Sequence, residues 1–157
     1  MIKIIDGKLL DDTSDKARQS PRLRMNHNLH ELEDRVQRML NAIEPGSYIR
    51  PHRHLDPDKT ELFLILKGIG AVITFSDTGE TKDIVIMGKR YGTMGVEIPP
   101  GVWHTVVSLE SGTVFMEIKD GPYTASTDKD FAPWAPNPED EEAKVYLKEL
   151  EEKIFSI

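Results

Sequence analysis

The middle of the chain is a series of short apolar segments rich in β-branched residues, each bounded by Gly, Pro, Asp or Ser. The segments are Glu61 to Lys67, Ala71 to Phe75, Asp83 to Met87, Met94 to Ile98, His104 to Leu109 and Thr113 to Lys119. Turn-forming residues separate them, and such closely spaced segments are typical of antiparallel strands. We therefore expect an all-β fold in which the strands form a sandwich or a barrel.

The N-terminal region has a less regular pattern. We expect a strand from Ile2 to Ile5, paired through a turn at Asp6-Gly7 with Lys8 to Leu10. A small helix should follow, capped by Asp12, Thr13 or Ser14. Between residues 26 and 43, apolar residues at helical intervals overlap with alternating ones. For this stretch we predict a short helix near residues 29–35, followed by a strand.

The residue pattern changes after Lys119, where the C-terminal region begins. Residues 120–138 are rich in proline and predict irregular structure, whereas residues 139–155 predict an amphipathic, acidic helix. Val145, Leu147, Leu150 and Ile154 should share one side of that helix. A chain of 157 residues suits a single domain. We divide it into an N-terminal extension (1–37), a barrel core (38–119) and a Pro-rich segment with the C-terminal helix (120–157).

Composition narrows the possible chemistry. The chain contains no cysteine, which excludes disulfides, thiolate metal sites and thiol nucleophiles, so any metal must be held by nitrogen and oxygen. A net charge of -7 and a pI near 5.2 argue against a nucleic-acid partner. No apolar run approaches the roughly 18 residues of a membrane span, and the first residues do not form a signal peptide. We expect a cytoplasmic protein with no membrane partner.

Three histidines predict a metal site. His52 and His54 are two residues apart, so on a strand both imidazoles project from one face. His104 follows a tight turn at Pro99 to Gly101 and opens a later strand, which a barrel can return to the same cavity. Neutral imidazole binds zinc, iron, nickel and copper well. The three side chains therefore predict a single divalent metal ion.

The same residues resemble the two motifs of the cupin superfamily. Gly46, His52, His54, Glu61 and Gly68 follow the order of the first motif, and Pro99, Gly101 and His104 match the second. The resemblance implies a cupin jelly-roll barrel, also called a double-stranded β-helix, with short N-terminal helical segments and a C-terminal helix. It also implies an acidic fourth metal ligand.

The acidic ligand can be placed at either of two residues. Six residues separate His54 from Glu61, where the cupin pattern has three or four. Asp58 lies at the usual distance from His54, whereas Glu61 keeps the usual distance to Gly68 and begins the next strand. We favour Glu61 because strand register fixes the direction of a side chain better than loop length does.

A narrower resemblance is to the WbuC family of cupin-fold metalloproteins. It covers most of the chain and rests on these stretches: Ser20-Pro21-Arg22, His52-Arg53-His54, Pro57-Asp58-Lys59, Pro99 to His104, Gly121-Pro122-Tyr123 and Phe131 to Trp134. It implies a role around bacterial surface-polysaccharide (O-antigen) biosynthesis, and hence a sugar or sugar-nucleotide ligand. The metal could be zinc, iron, nickel or manganese.

Basic and polar residues near these motifs are candidates for binding a ligand. Arg24, Arg53, Asn26 and Lys59 could fix an anionic group, and a solvated basic rim is the alternative reading. The catalytic residues are unknown; Tyr48 and His30 are candidates for a general base.

Three functions fit these residues. The first is a small metalloenzyme, such as an isomerase or epimerase, that acts on a sugar-derived or anionic metabolite. The others are a metal-stabilised sugar-binding or regulatory module without catalysis and an iron-dependent dioxygenase. We expect a homodimer, because paired copies cover exposed sheet edges.

Overall fold

Two antiparallel sheets form the body of the protein in a computed structural model that describes residues 1–157. The strands are β1 (Arg24–Asn28), β2 (Val36–Ile43), β3 (His52–Arg53), β4 (Glu61–Lys67), β5 (Gly70–Phe75), β6 (Thr81–Met87), β7 (Gly95–Ile98), β8 (Trp103–Ser108), β9 (Thr113–Asp120) and β10 (Asp130–Phe131). Sheet I has the order β1-β2-β9-β4-β7, and sheet II has the order β10-β3-β8-β5-β6. This arrangement confirms the predicted cupin jelly roll.

Strand alternation divides the apolar residues between the barrel interior and the outer face of sheet II. Val72 on β5 and Val106 on β8 lie in the cluster that contains Phe115 of sheet I. The residues that follow them, Ile73 and Val107, belong to a second cluster on the other face. That second cluster includes the C-terminal helix α2 (Glu142–Phe155). Sheet II is therefore covered on both faces.

The N-terminal helix α1 (Gly7–Gln19) covers the outer face of sheet I. Ala17 packs in a cluster with Leu40 of β2 and Val114 of β9. The predicted hairpin between Ile2 to Ile5 and Lys8 to Leu10 is wrong. Asp6 has an extended backbone, and its side chain accepts a hydrogen bond from the amide of Leu9 at 2.9 Å. Asp6 is therefore the N-cap of α1, six or more residues before the predicted caps.

The predicted helix near residues 29–35 is also wrong. Residues 29–35 form the turn region between β1 and β2, which pair antiparallel from Arg24↔Ile43 to Asn28↔Met39. Leu32 and Val36 supplied the helical spacing, but they are 48% and 47% exposed and form no buried face. Sheet I therefore starts at Arg24, within the segment that we expected to be an N-terminal extension.

The C-terminal region confirms an irregular segment followed by a helix. α2 starts at Glu142 and buries Ala143, Leu147, Leu150 and Ile154. Val145, which we placed on the buried side, is 61% exposed. No helix in the structure is long and apolar enough to cross a membrane.

Candidate metal centre

The structure brings the three predicted histidines and Glu61 together inside the barrel. His52 on β3 pairs directly with His104 on β8, and His54 follows β3 by one residue. Glu61 is the first residue of β4 in the facing sheet. The four residues are between 1% and 4% exposed, and their ligand atoms lie within 4.8 Å of one another.

Main-chain carbonyl groups fix the orientation of all three imidazoles. The Nδ1 atoms of His52 and His104 lie 3.0 and 2.9 Å from the carbonyl oxygens of Arg50 and Val102. Nδ1 of His54 bonds to the carbonyl oxygen of Asp128. A carbonyl oxygen only accepts hydrogen bonds, so each Nδ1 carries a hydrogen, and in the neutral form of each ring Nε2 presents a lone pair.

These lone pairs face a carboxylate oxygen. Oε2 of Glu61 lies 3.0 Å from Nε2 of His54 and 2.8 Å from Nε2 of His104. With neutral imidazoles all of these atoms are acceptors, and the same three atoms are buried without a hydrogen-bond donor. Two ligands bound at about 2.1 Å from one ion lie about 3.0 to 3.4 Å apart. The donor set therefore fits a divalent metal ion.

Burial sets the charge state of the cluster. It lowers the pKa of His52 well below the ordinary value, and proximity to Lys129, and to His104 when that ring is protonated, acts in the same direction. Burial alone would raise the pKa of Glu61, but hydrogen bonds from His104 and His54, when these rings are protonated at Nε2, hold that pKa well below the usual range. His52 is therefore neutral and Glu61 ionised, which are the forms that bind a metal.

The tight turn before His104 is hydrogen-bonded to the segment that contains His54. Gly101 has a φ of +78°, a conformation that favours glycine, and its amide donates to the carbonyl oxygen of His54 at 2.9 Å. The strand that follows places His104 inward, while Trp103 lies in the outer cluster, as alternation predicts. The turn thus sets the position of His104 relative to His54.

The longer loop after His54 separates the two candidates for the acidic ligand. Asp58 is exposed in a turn that is closed by a bridge between Leu55 and Asp58. Glu61 lies in register with Ile98 on β7 and Lys119 on β9, which directs its side chain into the barrel. The structure therefore joins Glu61, and not Asp58, to the histidines.

A cavity of about 140 Å³ lies against the cluster, and we call it the inner cavity. It is lined by Arg22, Arg24, Asn26, Asn41, Ile43, Ile49, His52, Glu61, Phe63, Val106, Glu117 and Lys129. Two of the residues predicted to bind a ligand, Arg24 and Asn26, lie on its wall. A group bound in this space would face His52 and Glu61.

A second cavity of about 440 Å³, the outer cavity, adjoins the first. Its wall includes Asn28, His30, Leu32, Gln37, Met39, Lys119, Tyr123, Ala125, Asp128 and Phe131. Asn26, Glu117 and Lys129 line both cavities. A ligand larger than the inner cavity could therefore extend into the outer one.

Comparison with known proteins places this architecture in a family. Residues 5–87, more than half of the chain, match the family described as "Domain of unknown function (DUF6016)". The chain belongs to the DUF6016 family. None of the curated proteins matches the sequence.

Solved structures resemble the DUF6016 chain at low sequence identity. The protein TT1209 from Thermus thermophilus has a TM-score of 0.54 and 20% identity, covering 76% of this chain and 97% of that one. The capsular polysaccharide assembling protein CapF from Staphylococcus aureus has a TM-score of 0.52 and 21% identity, covering 68% and 28%. KdgF from Halomonas sp. has a TM-score of 0.50 and 13% identity, covering 66% and 82%. What these proteins share with the DUF6016 chain is the fold.

Two buried groups of the DUF6016 site escaped the sequence analysis, Glu117 and Asn41. Burial and the adjacent carboxylate of Glu61 raise the pKa of Glu117 to about 8. The amide of Asn41 donates to the Glu117 carboxyl group, while its own oxygen has no partner. Glu117 alternates with Phe115 on the inner face of β9, but apolar residues also occupy the other face, so the sequence carried no signal for Glu117.

Lys129 also escaped the sequence analysis. It is an exposed residue of the Pro-rich segment and lines both cavities. Loss of hydration lowers the pKa of its ammonium group, although Glu117 and Asp128 oppose the change. No sequence motif marks it, because it lies in an irregular segment that only the fold brings to the barrel.

Two residues predicted to bind a ligand lie elsewhere. The ammonium group of Lys59 is buried and contacts the carbonyl oxygen of Pro122 at 2.8 Å and the carboxylate of Asp128 at 3.3 Å. Arg53 pairs with Asp130 at 2.7 Å and stacks over Trp103. Both are structural contacts, and neither residue lines the inner or the outer cavity.

The two candidates for a general base are also separated by the fold. Tyr48 packs in the outer cluster, and its hydroxyl donates to the carbonyl oxygen of Pro136 at 2.9 Å. Burial raises the pKa of Tyr48, so it does not suit the role of a base. His30 lines the outer cavity, where its Nδ1 bonds to the main chain of Arg38.

Proposed function

We propose that this DUF6016 protein is a metal-dependent enzyme that acts on a small sugar-derived or anionic metabolite. The observation that carries the proposal is the position of the acceptor cluster at the wall of a polar cavity. His52 and Glu61 contribute both to the cluster and to that wall. A closed metal site without a cavity would have suited a structural role instead.

The ligands that we propose for one divalent ion are His52, His54, Glu61 and His104. Such an ion supplies a Lewis acid that polarises a carbonyl or hydroxyl group of a substrate. Zinc, iron, nickel and manganese all accept imidazole and carboxylate donors. The buried position of the four residues keeps bulk water away from this chemistry.

Other residues of the chain would position the substrate. Arg24 can bind an anionic group from the cavity wall, and Asn26 can bind a hydroxyl group. Ile43, Phe63 and Val106 form the apolar part of the wall and exclude water. The raised pKa of Glu117 leaves a proton on its carboxyl group near neutral pH, which limits repulsion with Glu61.

The biological setting that we propose is bacterial surface-polysaccharide (O-antigen) biosynthesis, which the resemblance to the WbuC family implies. CapF, a structural neighbour, is a capsular polysaccharide assembling protein. At 21% identity the likeness to CapF supports only the fold. The proposal about the biological setting therefore rests on the resemblance to the WbuC family.

A non-catalytic binding module is the second candidate. Glu61 lies in sheet I, whereas His52 and His104 lie in sheet II, so a bound ion would also fasten the two sheets together. The small volume of the inner cavity, about 140 Å³, agrees with this function as well.

An exchange experiment separates the two candidates. The protein is loaded in turn with zinc, iron, nickel or manganese and incubated in deuterated water with a panel of keto sugars and hexuronic acids. Proton NMR then follows loss of hydrogen from carbons beside the carbonyl group. We expect exchange or a new product with at least one metal, and none with the Glu61→Gln variant.

The other results of that experiment are equally informative. Ligand binding without any chemical change, under every metal, would contradict the enzyme proposal and favour the binding module. Oxygen consumption by the iron-loaded protein, and not by the protein loaded with the other metals, would instead indicate a dioxygenase.

We also propose that the protein forms a homodimer. Each sheet ends in edge strands, β1 and β7 in sheet I and β10 and β6 in sheet II. Met1, Ile2 and Ile4 are exposed apolar residues that a second copy could cover. Sedimentation velocity should give twice the chain mass of 17.8 kDa, and a species of the chain mass at micromolar concentration would contradict the dimer.

A further inference from the structure

The inner cavity carries more positive charge than its acidic groups balance. Arg22, Arg24 and Lys129 all line it, and none of the three forms an ion pair with a carboxylate. Arg22 lies in the turn before β1 and Arg24 begins that strand, and both residues line the cavity. Lys129 reaches the cavity from the Pro-rich segment.

Arg24 is held in place by uncharged groups. Its Nη1 donates to the hydroxyl oxygen of Ser47 at 3.3 Å and to the carbonyl oxygen of Tyr48 at 3.1 Å. Burial lowers the pKa of Arg24 to about 10, and repulsion from Arg22 adds to the shift. The guanidinium group is therefore oriented by the fold while its charge stays without a counter-ion.

Both residues that flank Lys129 are anchored. The carboxylate of Asp128 lies 2.9 Å from Nζ of Lys119 and 3.3 Å from Nζ of Lys59. Asp130 pairs with Arg53 at 2.7 Å and belongs to β10. Lys129 is thus held at the cavity wall by contacts on each side, and its own ammonium group forms no ion pair.

The acidic groups of the inner cavity are engaged elsewhere. Glu61 contacts His54 and His104, and it would be neutralised further by a bound ion. Glu117 contacts the side-chain amide of Asn41 and the carboxylate of Glu61. Neither group is left to compensate the arginines and the lysine. An anion from outside the chain would do so.

We propose that Arg22, Arg24 and Lys129 form a binding site for a terminal carboxylate or phosphate group of a small ligand. Guanidinium forks match both oxyanions, and an ammonium group adds a third contact. A volume of about 140 Å³ holds roughly five water molecules, so the inner cavity admits the anionic end of a ligand. The remainder would extend into the outer cavity.

The oxyanion site specifies the substrate class of the proposed enzyme. It rests on the proposed function in one respect only, the second contact, which the ligand would make at the metal. The nearness of His52 and Glu61 places the atoms next to the oxyanion against the metal ligands. A substrate of this class is a small hydroxy acid, sugar acid or sugar phosphate. A neutral sugar would leave the three cations without a partner.

Three probes with one carbon skeleton test the site: glycerol, glycerate and glycerol 3-phosphate. Isothermal titration calorimetry measures their affinity for the metal-loaded and the metal-free protein. We expect at least one of the two anions to bind about tenfold or more tightly than glycerol, because hydrogen bonds to charged groups strengthen binding by about that factor. The tighter anion identifies the oxyanion as carboxylate or phosphate.

Matched variants assign the effect to the cavity. Arg22→Gln and Lys129→Gln should each weaken anion binding about tenfold or more, and the double variant should weaken it further. Arg35→Gln removes the same charge at an exposed position outside both cavities and should leave affinity unchanged. Elemental analysis should find the same metal content in the wild-type protein and in all four variants.

Two results would overturn the oxyanion site: equal affinity for glycerol and both anions, or wild-type affinity in the double variant. Failure of the metal proposal looks different. In that case no protein contains metal, yet the metal-free titrations still show anion binding that depends on Arg22 and Lys129.

Discussion

Asp58 and Glu61 are acids three residues apart with opposite surroundings. Asp58 is exposed in a turn, whereas Glu61 is buried with its Oε2 atom 2.8 Å from Nε2 of His104. The step from the loop into β4 is enough to separate them. Their contrast allows a direct test of the fourth ligand.

Glu61→Gln should weaken metal affinity at least about tenfold, since an amide is a poorer donor than a carboxylate for a divalent ion. Asp58→Asn serves as the matched control and should leave affinity unchanged. Competition with a chelator of known affinity provides the measurement. A larger loss in Asp58→Asn would move the acidic ligand to Asp58.

Asp128 carries a second prediction, because its carboxylate lies between the buried ammonium groups of Lys59 and Lys119. Asp128→Asn removes the nearest counter-charge of two buried ammonium groups and should cost about 3 to 5 kcal/mol in the free energy of unfolding. Asp130→Asn breaks an exposed pair with Arg53 and should cost at most about 1 kcal/mol. Urea denaturation measures both, and similar losses would contradict the account.

The strand β9 shows why part of the site could not be predicted from the sequence. Val114, Met116 and Ile118 are apolar residues at alternate positions of this strand, and from the sequence alone they would be expected to face the barrel interior. The structure places Phe115 and Glu117 in the barrel, because α1 covers the opposite face with apolar contacts to Val114 and Met116. A strand covered on both faces loses the alternation that identifies its interior.

The histidines were predictable for the opposite reason. His52 and His54 belong to one short segment, so strand parity alone places both on one face. The inner cavity is different, because its cations come from the turn before β1, from β1 itself and from the Pro-rich segment. No local pattern relates these segments, and only the fold brings them together.

Helix α2 provides a prediction about stability that is independent of the site. Leu150 is buried against the outer face of sheet II, so Leu150→Ala should cost about 2 to 5 kcal/mol in the free energy of unfolding. Val145→Ala, at an exposed position on the same helix, should change it by less than about 0.5 kcal/mol. Metal affinity of the folded Leu150→Ala protein should match wild type; a large loss would mean that α2 supports the site.

At the scale of the whole molecule, the two sheets meet at the candidate metal centre. Sheet II contributes His52 and His104, and sheet I contributes Glu61. Each imidazole is oriented by a main-chain carbonyl group, so the barrel itself arranges the acceptors. The central claim is that this arrangement holds one divalent ion.

The most direct test is elemental analysis of protein purified without a histidine tag or added metal, with His104→Ala prepared in parallel. We expect about one equivalent of a divalent metal in the wild-type protein and little in the variant, because His104 supplies one of four ligands. Far-ultraviolet circular dichroism confirms that the variant keeps its β structure. Equal metal content in the two folded proteins, or none in either, would contradict the account.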